Sequence, residues 1–165
     1  MSTSPALERL SEVLWRERHL LELLLFKLEV EQLVLTAGRT RWLGHATREV
    51  EAVLDEIRGA ELGRAVEADD AARSLGLEPG VGLAEIAAHA PAPWDDLMRA
   101  HRDAFGSLTA EISALADGNR ELLAVSHRAA QETLLTLQDT VQTYDGQGRS
   151  AAVGSTDARL VDRSI

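Results

Sequence analysis

The sequence contains no cysteine, which excludes disulfides, thiolate metal sites, iron–sulfur clusters and a cysteine nucleophile, and nothing in it points to an oxidising compartment. Aromatic residues are scarce, at 4% of the chain, although 45% of residues are hydrophobic. The apolar content is therefore aliphatic, mostly Leu, Ala and Val, and Leu and Ala favour helix. Positive charge is short as well. The formal net charge is −10, whereas DNA or RNA binding needs a surplus of Lys and Arg on one face, so nucleic acid is excluded as the main ligand. All but one of the basic residues are Arg, Lys27 being the exception.

A long uncharged run is also missing. The most apolar stretch, residues 20–30, is broken by Glu22, Lys27 and Glu29, whereas a membrane span needs roughly 20 nearly charge-free residues. The opening Met-Ser-Thr-Ser-Pro lacks the basic and apolar regions of a secretory signal, so a cytoplasmic location without membrane insertion is expected. There is no sustained apolar–polar alternation, and β-branched residues are scattered. The fold class that follows is all-α.

What is present is helical periodicity. Ser4-Pro5 supplies a cap and a first-turn proline for the first helix. Leu7, Leu14, Leu21, Leu28 and Leu35 then recur every seven residues. Leu10 and Leu24 fall on the adjoining heptad line, which Glu17 and Glu31 interrupt. A second stripe, Leu20, Leu23, Val30 and Val34, widens the apolar face, as in a bundle and not a two-stranded coil. Gly38 marks the end. A second helix is expected over residues 40–75, with Trp42, Leu43, Ala46, Val50, Val53, Leu54, Ile57, Leu62 and Val66 as apolar positions. Gly76, Pro79 and Gly82 break the chain before a short helix over 83–90, stopped by Pro91. Pro93-Trp94 opens a third long helix through Leu97, Met98, His101, Phe105, Leu108, Ile112, Leu115 and Leu122, drifting to Leu134, Leu137, Val141 and Tyr144.

The architecture expected is an elongated, antiparallel, coiled-coil-like bundle of three long helices and one short one. A helical domain over 1–148 would be followed by a flexible tail over 149–165. At 1.5 Å per residue the first two helices are each roughly 50 Å long and the third roughly 75 Å. Two shorter partners cannot cover it. Either it folds back near Gly118, or its last third carries an uncovered stripe, and Asp117-Gly118-Asn119 is too weak a breaker to force a reversal.

Catalytic spacings are wanting. There is no Glu-x-x-His pair of the di-iron type, no His-Glu-x-x-His and no Gly-x-Ser-x-Gly elbow. The nearest ligand-like spacing is Glu85…His89 on the short helix, without a second pair beside it in sequence. No metal, no cofactor and no enzyme activity are expected. Trp15, Trp42 and Trp94 read as core anchors, and His101 as a core histidine with one hydrogen bond.

Three segments carry a family resemblance. They are Leu14-Trp15-Arg16-Glu17-Arg18-His19-Leu20-Leu21-Glu22-Leu23-Leu24; Ala37-Gly38-Arg39-Thr40-Arg41-Trp42-Leu43; and a last helix with Asn119-Arg120-Glu121-Leu122-Leu123 that ends in Thr143-Tyr144-Asp145-Gly146-Gln147-Gly148-Arg149. In this order they resemble FlgN-like flagellar export chaperones of the actinobacterial type, over about residues 7–149. The resemblance implies a cytosolic chaperone that holds the C-terminal helical segment of hook-associated flagellar proteins before type III export. It also implies docking on the flagellar export gate through a C-terminal tyrosine, for which Tyr144 is the one candidate. From the stripe itself, the contact residues expected for a client helix are Leu123, Ala130, Leu134, Leu137 and Val141, in a monomer or small oligomer. The alternatives are a structural coiled-coil protein that self-associates through the same heptads and, from a third class, a helical-bundle enzyme or metal protein.

Overall fold

A computed structural model describes residues 5–146, with side chains described as far as Val141. Four helices account for the regular structure in that range: α1 (Pro5–Thr36), α2 (Thr40–Ser74), α3 (Leu83–His89) and α4 (Trp94–Gly146). The expected tail, 149–165, lies outside the described residues. The chain divides into two units, Met1–Arg120 and Glu121–Ile165.

Glycine ends α1 and α2 in the same way. At Gly38 (φ 66°) the Gly38 N–H donates to the Leu35 carbonyl and the Arg39 N–H to the Val34 carbonyl. At Gly76 (φ 76°) the Gly76 N–H donates to Arg73 and the Leu77 N–H to Ala72. Both are Schellman caps, and the positive φ costs an L-residue about 1–2 kcal/mol. Gly76→Ala should therefore lower stability by about 1 kcal/mol in urea denaturation. An unchanged midpoint would show that the cap contributes nothing.

Within the first unit the pairing gives the topology. Arg9 meets Glu67 at 2.9 Å, Glu17 meets Arg64 at 3.2 Å, and Lys27 meets Glu49 at 2.8 Å. Numbers rise on α1 as they fall on α2, so the two are antiparallel. By contrast, Trp15 touches His101 while Leu28 and Glu31 bond Asn119, so the part of α4 within this unit runs parallel to α1. α3 returns the chain to the starting end of α1, where Ile86 and Ala87 join Leu7, Leu10, Leu14, Ala71 and Met98 in one core cluster. A second cluster gathers Leu24, Leu28, Val50, Val53 and Ile57, with Ile112 and Leu115 of α4 packed on it.

Several expectations are corrected here. Glu17 and Glu31 do not interrupt the seam; both are buried in it, because each finds a polar partner on a neighbouring helix. Leu62 and Val66 are exposed. The buried line of α2 runs through Ala46, Val50, Val53, Ile57 and Ala71, and at 100° per residue Leu62 and Val66 fall on the opposite side. Trp15 and Trp42 are not core anchors, for each is 47% exposed. Trp15 follows the seam residue Leu14 and is rotated off it, while Trp42 lies in the first turn of α2 with the Arg41 guanidinium 4.7 Å above its ring. Trp94 alone packs against a core cluster.

Candidate partner-binding surface

The α4 segment of the second unit is built from good helix formers, with no Gly or Pro between Arg120 and Asp145. Residues 122–143 carry only three charged side chains, Arg128, Glu132 and Asp139, a density well below the 27% of the whole chain. Its threonines are satisfied locally: Thr133, Thr136 and Thr140 donate to the carbonyls of Ala129, Glu132 and Thr136 at 2.8–2.9 Å. Every residue from Ala124 to Val141 is exposed.

That exposure includes large apolar groups. Val125, Leu134, Leu135, Leu137 and Val141 are each between 52% and 61% exposed. The five residues singled out from the sequence behave in two ways. Ala130, Leu134, Leu137 and Val141 are exposed, while Leu123 is half-buried. Steps of seven, four, three and four residues place all five on one line of the helix, the pattern that an apposed helix reads. Val125 and Leu135 lie off that line, about 160° and 120° round the helix from it at 100° per residue, and had no periodic signal to mark them. Helical hydrogen bonding runs through Gly118 without a break. Tyr144 stands near the end of α4, and its side chain lies outside the described residues.

A different kind of constellation lies in the first unit. Asn119, 1% exposed, donates from Nδ2 to the Leu28 carbonyl and to Glu31 Oε1, both at 3.0 Å. Thr47 Oγ1 donates to Glu31 Oε2 at 3.1 Å. One buried carboxylate thus ties α1, α2 and α4 together. Asn119 was legible only as part of a family motif; the one independent signal was a Glu on a line otherwise made of Leu.

His101 is buried, as expected, but neither ring nitrogen has a hydrogen-bond partner. It is held by rings, with Trp15 edge-on at 4.7 Å and Phe105 stacked at 6.3 Å. Burial, and then the nearby Arg18 cation, push its pKa below the ordinary 6.5. A depressed histidine gives stability that is present above the unfolded pKa and lost as pH falls from 6.5 toward the folded value. Glu17 has the opposite sign, since burial raises its pKa above 4.5 despite Arg64, so its contribution is full below 4.5 and lost as pH rises through the raised value. Urea denaturation should show wild-type stability falling as pH drops below 6.5, and His101→Leu should flatten that slope. An equal slope in the variant would remove His101 as its source.

His89 Nδ1 donates to the Glu85 carbonyl at 3.0 Å, so the one ligand-like spacing is a backbone contact. Among the described residues no group of three or more His, Cys, Asp or Glu side chains could hold a metal ion, and no helix is long and apolar enough to cross a membrane. A cavity of about 310 Å³ between α1, α2 and α3 is lined mainly by Leu10, Leu14, Ala68, Leu83 and Ile86, with Arg64 and Asp69 at its polar side.

Among the described residues, an exposed apolar line on a long helix is a surface of the kind that an apposed amphipathic helix can cover. The sequence model of the FlgN protein family matches residues 1–152, and the chain is a member of that family, which comprises flagellar export chaperones and not enzymes. No curated protein and no solved structure matches the chain.

Proposed function

We propose that the protein is a cytosolic chaperone that receives the C-terminal helical segment of a hook-associated flagellar protein along the Leu123–Val141 line of α4 and releases it for type III export. The observation that supports this most is the uninterrupted exposure of residues 124–141 with Leu134, Leu137 and Val141 on one line. Leaving such a stripe in water is unfavourable by roughly 25 cal/mol per Å² of apolar surface, and an amphipathic client helix removes that cost for both partners. Client helices of this kind are themselves prone to aggregate, so covering them serves both molecules. Tyr144 is proposed as the contact with the export gate.

The test is a calorimetric titration with the C-terminal segment of a hook-associated protein. One segment should bind per chain, with a negative heat-capacity change from apolar burial. Tyr144→Ala should leave that titration unchanged and lower secretion of the client. Concentration-dependent self-assembly in sedimentation, with no heat from the segment, would favour the structural coiled-coil reading instead.

A further inference from the structure

The turn between α1 and α2 is charged against the trend of the chain. Residues 32–48 include Arg39, Arg41 and Arg48 and no Asp or Glu, within a sequence of net charge −10. The carboxylates that bound this stretch are both engaged elsewhere. Glu31 is buried against Asn119 and Thr47, and Glu49 is held by Lys27 at 2.8 Å. The described contacts of Arg48 include His45 Nδ1 at 3.1 Å and no carboxylate. All three arginines are exposed, so the tip is a cationic spot that its own neighbours do not neutralise.

The same tip exposes large apolar groups. Leu33, in the last turn of α1, is 66% exposed, and Trp42, in the first turn of α2, is 47% exposed beneath the Arg41 guanidinium. Trp and Arg together are the residue types that dominate binding energy at protein interfaces, the ring by apolar area and the guanidinium by forked hydrogen bonds to carboxylates.

We propose that this hairpin tip is a second binding site, separate from the α4 stripe, and that it takes an acidic protein segment carrying an apolar anchor. Carboxylates of the segment would pair with Arg39, Arg41 and Arg48 while the anchor covers Trp42 and Leu33. An anionic membrane fits less well. Three arginines fall short of the clusters of about four to eight basic residues that hold a protein on acidic lipid. An extended anionic plane would also repel the acidic body of the chain, whereas a short segment meets only the tip.

The test uses the full chain labelled with ¹⁵N, in which the three tryptophans give three indole N–H resonances. The probe is a synthetic amphipathic peptide with a leucine stripe flanked by glutamates, compared with its lysine-flanked counterpart. The glutamate peptide should move the Trp42 resonance and leave that of Trp94 in place, with an affinity that falls as salt is added. Arg39→Glu with Arg41→Glu should weaken this binding about tenfold or more while helical circular dichroism is retained. Trp42→Ser should weaken it as well, and Leu134→Asp with Leu137→Asp should not, which separates this site from the one on α4. Equal shifts of Trp42 with both peptides would overturn the proposal, as would unchanged affinity after charge reversal. Binding of phosphatidylserine vesicles in place of the peptide would also overturn it.

Discussion

Leu134→Asp combined with Leu137→Asp is expected to abolish client binding while leaving the far-UV helical signal nearly intact. Both side chains are more than half exposed, at 61% and 57%, so replacing them removes little that the free protein packs. The substitutions cost only about 0.5 kcal/mol each in helix propensity. In the complex the arithmetic is different. Burying a leucine contributes roughly 1.5–3 kcal/mol, so two lost leucines account for about 3–6 kcal/mol, or about 10²–10⁴-fold in affinity. Two carboxylates carried into an apolar contact add a desolvation cost in the same direction. Titration and circular dichroism on the same sample decide the matter. If the double variant loses its helical signal wholesale, the stripe is core and the proposed surface is wrong.

The second large effect is expected at the buried polar centre. Asn119→Leu removes the amide that satisfies Glu31 Oε1 and leaves a carboxylate buried at 6% exposure without that donor. The loss should be about 2–4 kcal/mol, read from urea denaturation, because stranding a buried charged acceptor costs more than the hydrogen bond contributes. Asn119 already has a cost of its own, since its Oδ1 is buried without a hydrogen-bond partner. Replacing both residues, Glu31→Leu with Asn119→Leu, should therefore recover most of the stability, as apolar groups of similar size fill the seam between Leu24, Leu28 and α4. A double variant as unstable as the two single losses added together would show that the carboxylate stabilises the bundle outright. The expected recovery would assign it a different role, that of holding α4 in one register against the hairpin.

Much of this fold can be read along the chain, for local reasons. The heptad leucines of α1, the caps at Gly38 and Gly76, and the break from Gly76 to Gly82 each act within a few residues. Their elements therefore appear where the pattern places them. The low charge and good helix formers of residues 122–143 likewise mark a helical face before any neighbour is considered. Family membership rests on the FlgN family model, which matches residues 1–152.

Tertiary structure alone decided which members of the apolar set meet a neighbour. Leu62 and Val66 are as hydrophobic as Val50 and Val53, but they face away from both other long helices, and periodicity over so long a helix does not say which side is covered. Glu17 and Glu31 read as breaks in a leucine line until Arg64, Thr47 and Asn119 arrive from 16 to 88 residues away to satisfy them. His101 is buried among rings without a hydrogen-bond partner, a state that no local pattern forecasts. Local geometry is written in short spacings and so belongs to the sequence. Whether a polar group can be buried depends on partners that only the packed helices bring within 3 Å or so of it.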